Sequence, residues 1–436
     1  MTSRDEFRFL ADLALKRSSG DDTIVTLSDQ RGGTTRFASN HIVQNVDTRR
    51  GTLTVSVSFD GSRGSASTTD FTAGSLYNTL ARAEQIARLT PKDPEYLPPP
   101  DSQLFPTVPA SRSETTSAGP ARRLEYANEA IGQCRIESLQ AAGIVSSSNA
   151  SVGVAASNGL FAHEERTEAR FSLTVQADDA TGWSAAAHRS IDHLKIQERT
   201  LTAIEKAKRS REVQELPSGN YRVILEPAAV AGLWSWMLWS LDAKSYEKGT
   251  SPFAGQLDRQ ILDERLTLTN TSQHPDLLGI GFTNDGLPTV DGPWVENGVL
   301  RQLAYDRYAA ERRGIKRIVT LDAPCLSASG PTVRKTIDLI KQCERAILIT
   351  NFWYIRTVNP TDLTLTGMTR DGTFLVEDGQ ITSAVRNFRF HESPLRVFKQ
   401  IEACTEPAEA VTAETGKLLV PAMILRDFHF SSVTRF

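Results

Sequence analysis

The stretch YRVILEPAAVAGLWSWMLWSLDAKSYEKGTSPFAGQ, from Tyr221 to Gln256, places an aliphatic run directly before a nearly apolar segment. The run predicts a strand, and Pro227 suits the first turn of the helix that follows. Trp234, Trp236 and Trp239 are spread over nearly all sides of that helix. We therefore predict a helix buried between domains, with contact to a bound peptide as the alternative. The layout is that of an active-site helix, but the stretch contains no His and no Cys.

The chain before this stretch begins with a unit that we assign to residues 1–90. Ser3 and Glu6 form the pattern of a capping box, and apolar residues at helical spacing follow it. Alternating runs such as Thr52–Phe59, separated by glycine turns, predict an antiparallel meander. A second helix is predicted from Ser75 to Leu89. The unit therefore combines two helices with several strands.

Residues 91–120 have a different composition, because eight of them are proline and Ser and Thr lie between the prolines. Proline at this density opposes both helix and inner strand, so we expect an extended connector that lies along a surface. A second unit, residues 121–215, repeats the order of elements. Helices are predicted from Arg122 to Ala142 and from Ser190 to Arg209, with strands between them.

The last part of the chain, residues 219–436, consists mostly of strands and turns. Hairpins are predicted at four Gly-containing triplets, and one more helix is predicted from Pro331 to Cys343. The triplets are Asn284-Asp285-Gly286, Glu296-Asn297-Gly298, Arg370-Asp371-Gly372 and Glu377-Asp378-Gly379. The predicted fold class is α+β: two smaller helix-plus-antiparallel-sheet units followed by a larger β-rich C-terminal domain.

Composition restricts the partners and the compartment. The formal net charge of −3 and the absence of a basic patch argue against binding to nucleic acid. The four cysteines lie far apart, as free thiols do in a reducing compartment, and the N-terminus lacks the apolar region of a signal peptide. The longest apolar run is shorter than the roughly 20 residues of a membrane span. We therefore expect a cytoplasmic protein without a membrane segment.

Metal and nucleophile motifs are weak in this sequence. His163-Glu164 is followed by no second His, and the pattern around it fits a strand better than a zinc helix. Cys325 lies in a Pro-, Ser- and Gly-rich loop without a nearby His signature, so an ordinary thiol is the simpler interpretation. Phosphate-binding loops and the hydrolase nucleophile elbow are absent as motifs.

Several longer segments carry a family resemblance. Lys248–Gln256 (KGTSPFAGQ) and Phe282–Gly314 resemble the TldD/TldE (PmbA) metallopeptidase family. Asn351–Ile381, Asn387–Ser393 and Leu418–Ser432 resemble its TldE members in particular. The order of a first, a middle and a β-rich third domain matches as well. The C-terminal motifs are specific, whereas the N-terminal match is one of pattern only.

The resemblance implies where a metal motif should lie. TldD subunits are expected to carry His-Glu-x-x-x-His after a strand, with a downstream Cys as a further zinc ligand. In this sequence the corresponding positions are Glu226, Pro227 and Ala231, or positions one residue away, and no register supplies a His. The downstream Cys position falls near Thr412 and Ala413, and Cys404 lies several residues earlier. Because Ala and Pro cannot bind zinc, we expect no cofactor in this chain and zinc in a TldD-like partner.

The resemblance also implies a function. It predicts a TldE-like subunit that pairs with a TldD-like catalytic subunit and helps to enclose extended peptides, which the complex degrades or trims. Peptides would bind by strand addition. The segment Phe352, Trp353, Tyr354 and Arg356 is a candidate lining of the substrate cavity, with a buried strand as the alternative.

Two other functions stay open at this point. One is a stand-alone peptidase with an unusual metal set drawn from Glu226, His274, His391 and Cys404. The other is a homodimeric peptide-binding scaffold without enzymatic activity. Whether the chain itself is an enzyme is thus not decided by its sequence.

Overall fold

The computed structural model of the chain describes residues 1–412 and 416–434. The fold is α+β, with two smaller helix-plus-sheet units and a larger β-rich C-terminal part, as the sequence predicts. The elements of the first two units are α1 (Arg4–Leu15), β1 (Asp22–Ala38), β2 (His41–Phe59), β3 (Ser62–Thr68), α2 (Ala73–Leu89), α3 (Ser113–Thr116), α4 (Pro120–Ile136), β4 (Gln140–Ala156), β5 (Phe161–Ala177), β6 (Ala180–His188) and α5 (Ile196–Arg209).

The strands of these two units form one continuous antiparallel sheet in the order β3-β2-β1-β4-β5-β6. The junction is the pairing of β1 with β4, in which Ile24 lies opposite Ala156 and Phe37 lies opposite Gly143. Two apolar cores pack on the helical side of this sheet, one around α1 and α2 and one around α4 and α5. The opposite face is rich in Ser and Thr, and part of it borders the C-terminal domain.

The remaining elements form the C-terminal part. They are β7 (Gly219–Leu225), α6 (Pro227–Trp239), α7 (Ala243–Glu247), β8 (Leu266–Asn270), β9 (Gly292–Glu296), β10 (Val299–Leu300), α8 (Arg307–Arg312), β11 (Pro324–Ala328), α9 (Thr336–Ile340), β12 (Arg345–Asn359), β13 (Thr364–Glu377), β14 (Gln380–Ala384), β15 (Phe388–Glu392), α10 (Pro394–Val397), β16 (Ile401–Cys404), β17 (Ala408–Thr412), β18 (Gly416–Val420) and β19 (Met423–Val433).

Two further sheets build this domain around one large core. One has the order β10-β9-β8-β11-β18-β17, and the other has the order β12-β7-β19-β15-β13-β14. In the second sheet β12 also pairs with β13, so the sheet closes on itself. The core includes Trp234, Phe253 and a cluster of Phe rings at 388, 390, 428 and 430. Helix α6 lies in this core and packs on β12 and β17.

Local signals near the N-terminus are confirmed. The Ser3 Oγ atom accepts a hydrogen bond from the Glu6 backbone N–H (3.2 Å), and the Glu6 carboxylate accepts one from the Ser3 N–H (2.6 Å). Hairpins also occur at Glu296-Asn297-Gly298 and Glu377-Asp378-Gly379, where the last two residues of each triplet have positive φ. This backbone conformation is the one that two-residue hairpin turns require.

Three predicted helices are wrong in extent. Helix α4 ends at Ile136 instead of Ala142, because Ser138 takes a left-handed conformation (φ 56°) and β4 begins at Gln140. The helix predicted from Ser190 is interrupted at Lys195 (φ 52°), which separates a single 3₁₀ turn from α5. The helix predicted over residues 331–343 is reduced to the five residues of α9.

Candidate functional site

Helix α6 begins at the end of β7 as the sequence predicts. Glu226 is its N-cap residue with extended backbone, and Pro227 occupies the first turn, where a missing N–H costs no hydrogen bond. The Glu226 side chain makes no capping bond. Instead, its Oε2 atom accepts a hydrogen bond from Lys206 Nζ of α5 at 2.7 Å, and both side chains are mostly buried. The pair links the central unit to the start of α6.

A cavity of about 460 Å³ lies where the Ser- and Thr-rich face of the first sheet meets the C-terminal domain. One wall comes from β4, β5 and β6, and the other comes from α6, the middle of β12, the bend of β13 and the end of β17. The lining residues are Ile144, Arg170, Phe171, Ser172, Thr174, Trp183, Ala185, Ala228, Gly232, Asn351, Phe352, Trp353, Tyr354, Ile355, Arg370, Asp371, Val411 and Thr412.

Helix α6 presents only small groups to this cavity. Its two lining residues are Ala228 and Gly232, which lie four positions apart and therefore on one face of the helix. Ala231 is fully buried on another side, within the domain core. Glu226, Pro227 and Ala231, the positions expected from the zinc motif, are not lining residues. The helix residues that face the cavity, Ala228 and Gly232, thus lie one position after Pro227 and Ala231, where the family resemblance places the motif.

The Trp residues of α6 do not face the cavity. Trp234 is buried and stacks on Phe398 with ring centroids 5.6 Å apart, while Trp236 is half-buried and Trp239 is 52% exposed. The helix is therefore buried along most of its length and reaches solvent at its C-terminal end.

The aromatic segment of β12 divides between core and cavity. Phe352 is buried against Phe390 and Phe428, although it also borders the cavity. Trp353 and Tyr354 are about half exposed and line the cavity together. Two consecutive residues reach the same side because the strand is irregular between Trp353 and Arg356, where Tyr354 has a φ of 55°.

Arg356 lies beside the cavity and not in its lining. Its guanidinium carbon is 4.3 Å from the centroid of the Tyr354 ring, a cation–π geometry. The segment Phe352–Arg356 is therefore neither a buried strand nor wholly a cavity wall, because its members are divided between both environments.

Arg370-Asp371-Gly372, which the sequence predicts as a hairpin turn, is instead a bulge inside β13. The pairing register with β12 shifts there, and Asp371 and Gly372 have φ values of 58° and 135°. The Asp371 carbonyl accepts a hydrogen bond from Thr350 Oγ1 at 3.0 Å, which fixes the bend. The prediction fails because Asp-Gly supplies positive φ equally well to a bulge and to a turn.

The bulge brings a carboxyl group into the cavity. The Asp371 side chain is 8% exposed, and its Oδ1 atom accepts a hydrogen bond from Thr181 Oγ1 of β6 at 2.7 Å. Burial raises the pKa of Asp371 above its ordinary value, although the Thr181 hydrogen bond and the charge of Arg370 act in the opposite direction. Asp371 and Arg370 are cavity residues that the sequence does not indicate, because their Asp-Gly pair predicts a turn.

The position expected for the downstream metal ligand also lacks a metal-binding group. Thr412 lines the cavity, and its Oγ1 atom lies 3.4 Å from Ser235 Oγ, whereas Ala413 lies outside the described residues. Cys404 is buried in β16, away from the cavity lining. Burial raises the pKa of Cys404 to about 12, so the residue remains a neutral thiol near pH 7.

The cavity residues do not fit a zinc ion. Ala228 and Gly232 carry no donor atom, and Thr412 supplies only a neutral hydroxyl. Asp371 is the one carboxylate in the lining, and its Oδ1 atom is hydrogen-bonded to Thr181. Zinc sites in proteins combine three or four His, Cys and carboxylate ligands, so a single carboxylate does not make one. Within residues 1–412 and 416–434, there is no group of three or more His, Cys, Asp and Glu side chains that could hold a metal ion. Glu226, His274, His391 and Cys404 therefore do not come together as one set.

Three histidines outside the cavity, His163, His188 and His193, have structural contacts. His163 lies in β5, as predicted, and its Nε2 atom is 2.8 Å from Ser151 Oγ. His188 and His193 stack with ring centroids 4.5 Å apart. Burial lowers the pKa of both His163 and His188, so both rings are neutral near pH 7.

Comparison with known proteins agrees with this architecture. Residues 218–432 match the PmbA/TldA metallopeptidase C-terminal domain, and residues 113–211 match the PmbA/TldA metallopeptidase central domain. The chain belongs to the PmbA/TldD metallopeptidase family.

Among curated relatives, the metalloprotease PmbA of Escherichia coli O157:H7 is 26% identical over 334 residues, which cover 70% of each chain. An uncharacterized protein of Methanocaldococcus jannaschii is 24% identical over 279 residues, which are 62% of this chain and 64% of that protein.

Solved structures resemble the fold of this chain over nearly its whole length. TldE from Thermococcus kodakarensis superposes with a TM-score of 0.86 at 19% identity, covering 98% of this chain and all of that one. A protein described as a candidate modulator of a DNA gyrase from Thermotoga maritima superposes with a TM-score of 0.85 at 17% identity, with the same coverage. At these identities the likeness concerns the fold.

The described helices include none that is both long enough and apolar enough to cross a membrane.

Proposed function

We propose that this chain is the non-catalytic, TldE-like subunit of a TldD/TldE-type peptidase, and that it encloses extended peptide substrates for a zinc-containing TldD-like partner. The observation that carries the proposal is the cavity face of α6. At the positions where a zinc peptidase of this family would need ligands and a general base, the helix presents Ala228 and Gly232. These residues can neither hold zinc nor accept a proton from water.

The register of the cavity face refines the expected positions of the lost motif. If the Glu and the second His of His-Glu-x-x-x-His are placed on the two cavity-lining positions, Ala228 and Gly232, the first His falls on Pro227. The motif then covers Pro227, Ala228 and Gly232 instead of Glu226, Pro227 and Ala231. Neither alignment supplies a His, and only the one that begins at Glu226 places a carboxylate at a ligand position. Glu226 is held by Lys206 and is thereby occupied in an ion pair.

The rest of the cavity suits the enclosure of a peptide. Its first wall is an open sheet face with hydroxyl groups from Ser172 and Thr174, and its second wall carries the rings of Trp353 and Tyr354. Hydroxyls serve as donors and acceptors for a backbone, and aromatic rings contact side chains without selecting one sequence. Residue types of this kind are suited to substrates that vary in sequence.

The partner and the compartment follow from the same proposal. Zinc belongs to the TldD-like subunit, the two chains form a heterodimer, and the complex works in the cytoplasm, where the four unpaired cysteines remain reduced. Homodimer formation without a catalytic partner is the competing outcome, in which the chain acts as a peptide-binding scaffold.

The experiment is a reconstitution. The chain is produced alone and together with a TldD-like protein from the same genome, and hydrolysis of an unstructured peptide is followed. We expect cleavage only in the mixture, and its loss when a metal-binding His of the partner is replaced. Equal cleavage by the partner alone would show that this chain contributes nothing to turnover.

A variant of this chain tests whether the substrate passes through the cavity. Ala228→Trp fills the cavity with an indole, so the mixture should lose most of its activity while the two chains still co-elute. Ala121→Trp, at an exposed position of α4, is the matched control and should leave activity unchanged. If the Ala228 variant is as active as the control, the cavity is not on the substrate path.

A further inference from the structure

Four side chains, three in the lining of the cavity and one beside it, form a continuous row of contacts. The guanidinium carbon of Arg370 lies 4.2 Å from the centroid of the Trp353 ring, and the rings of Trp353 and Tyr354 are 5.5 Å apart. At the other end, the guanidinium carbon of Arg356 lies 4.3 Å from the Tyr354 ring. We name Arg370, Trp353, Tyr354 and Arg356 the cation–aromatic ladder.

The backbone irregularities of β12 and β13 produce the ladder. A regular strand would send Trp353 and Tyr354 to opposite faces, but the left-handed residue Tyr354 brings them to the same side. The bulge at Asp371 and Gly372 is one residue from Arg370. Two departures from regular pairing, each of which lowers the stability of a sheet, therefore lie at the same exposed cluster. Such departures are concentrated at functional sites.

The ladder is exposed in the part of the chain that the structure describes. Trp353 is 47% exposed and Tyr354 is 53% exposed, so the rings are available to a ligand. Aromatic rings that serve only packing are normally covered, because each buries 150–250 Å² of surface.

The positive charge of Arg370 is only weakly compensated. Its side chain is 42% exposed, and the nearest carboxylate in the described residues, Asp371, has its Oδ1 atom 3.9 Å from Arg370 Nε, beyond hydrogen-bond distance. Asp371 is itself hydrogen-bonded to Thr181. The contact with the Trp353 ring orients the guanidinium group without using its N–H donors, which leaves them for an anionic ligand.

We infer that the cation–aromatic ladder is a subsite for carboxylate groups of the bound peptide, with Arg370 as the residue that determines specificity. The inference rests on the proposed function, because it takes the ligand to be an extended peptide. A guanidinium group binds a carboxylate through two parallel N–H···O bonds, and the rings contact the neighbouring side chain. Acidic side chains and the C-terminal carboxylate share this chemistry.

A peptide is favoured over a nucleic acid by the charges around the ladder. Asp371 lies within the same cavity, Glu168 pairs with the lining residue Arg170, and the chain as a whole has a net charge of −3. A phosphate backbone would meet these carboxylates and only a few cations, whereas binding of single strands normally uses a basic groove together with stacking.

The experiment measures fluorescence anisotropy with the full chain and four labelled unstructured peptides at low ionic strength. The peptides contain either Glu or Gln at the same positions, and each has either a free or an amidated C-terminus. We expect the amidated Glu peptide to bind about tenfold more tightly than the amidated Gln peptide if side chains are bound. A similar preference for the free terminus in the Gln pair would identify the C-terminal carboxylate as the group bound.

Variants of Arg370 test whether the preference for carboxylate-containing peptides depends on the cation–aromatic ladder. Arg370→Gln should abolish the preference, and Arg370→Lys should leave a reduced one, because the charge remains without the planar pair of donors. Arg345→Gln is the matched control: it removes the same charge from an exposed position of β12 outside the ladder. It should keep the preference.

The inference is overturned if all four peptides bind equally, if none binds, or if Arg345→Gln and Arg370→Gln have the same effect. It is also overturned if single-stranded DNA displaces the peptides and binds through Arg370 more tightly than they do. Failure of the proposed function would look different: an Arg370-dependent preference would persist, although the mixture with a TldD-like partner cleaves nothing. Conversely, a mixture that cleaves Glu and Gln peptides equally retains the function without this subsite.

Discussion

The Nζ atom of Lys206 lies 2.7 Å from the Oε2 atom of Glu226, and this ion pair ties α5 of the central unit to the N-cap of α6. Glu226 is the only carboxylate among residues 226–232, where relatives are expected to bind zinc. Because its charge is balanced by Lys206 and both side chains are largely buried, the residue has a structural role. The helix thus keeps its position beside the cavity without any ligand for a metal ion.

This pair leads to a prediction about stability. Lys206→Met should lower the free energy of unfolding by about 1–3 kcal/mol, because it leaves the Glu226 carboxylate partly buried without a partner. Lys208→Met, in the same helix, is the control: Lys208 and Glu137 are each about 40% exposed, so the loss should stay below about 1 kcal/mol. Urea unfolding of both variants measures the difference, and equal losses would contradict the structural role.

A second ionic cluster joins the central unit to the sheet that ends in β17. Glu409 accepts hydrogen bonds from the Ala187 N–H (3.0 Å) and from Arg199, and it pairs with Lys417, whose side chain is only 2% exposed. Glu409→Ala should therefore destabilise the protein by about 3–5 kcal/mol, because Lys417 stays buried without its counter-ion.

The control for this cluster is Glu198→Ala, which removes an exposed partner of Lys195 at 3.7 Å. It should change stability by less than about 1 kcal/mol. Thermal unfolding followed by circular dichroism separates the two cases. A Glu409 variant as stable as the Glu198 variant would mean that the junction does not depend on this charge.

Two of the glycines, Gly232 and Gly182, should respond to replacement by alanine in opposite ways. A Cβ atom at Gly232 of α6 would meet only the Ile355 Cδ1 atom, at 3.4 Å, so Gly232→Ala should stabilise the helix by about 0.5–1 kcal/mol. At Gly182 of β6, a Cβ atom would lie 2.2 Å from the Ala203 carbonyl oxygen of α5. Gly182→Ala should destabilise by about 1–3 kcal/mol. Stabilisation of both variants in the same unfolding assay would be inconsistent with the packing described.

Stability should fall in mild acid, in part because of His188. Burial, together with the nearby charge of Lys417 and the contact with His193, lowers the pKa of His188 below 6.5, although Asp276 at 3.9 Å acts in the opposite direction. The folded state therefore binds fewer protons than the unfolded state. The contribution of His188 to the free energy of unfolding is fully present above its unfolded-state pKa of about 6.5, and it is lost as the pH falls through the lower pKa of the folded state.

The measurement is a series of thermal midpoints between pH 7.5 and pH 5. His188→Gln should show a shallower decline than the wild type, and His41→Gln, at an exposed position, should decline as the wild type does. A decline that is unchanged in the His188 variant would remove this residue from the explanation.

The sequence predicted those parts of the fold whose signals are local. The capping box at Ser3 and Glu6 and the Asn-Gly and Asp-Gly hairpins at 297–298 and 378–379 need only the conformational preferences of a few residues. The sequence does not reveal the end of α4, because Leu139 continues the apolar spacing of the helix although it is buried in the turn toward β4. Tertiary packing decides that boundary, and spacing alone cannot reveal it.

The site was only partly predictable for a similar reason. Helix α6 is apolar on nearly all sides, so its sequence does not indicate which face meets the cavity, and the alignment of the lost motif stayed open by one residue. Trp353 and Tyr354 were recognised by residue type. Arg370 and Asp371 were not, because an Asp-Gly pair predicts a turn and gives no sign that β13 continues through a bulge.

The most direct test of the central claim is peptide hydrolysis by the isolated chain in the presence of added zinc. We predict no turnover above background and no effect of a chelator, whereas addition of a TldD-like partner should restore chelator-sensitive cleavage. Chelator-sensitive turnover by the isolated chain would contradict the account, because the side chains around its cavity would then have to hold a catalytic metal ion.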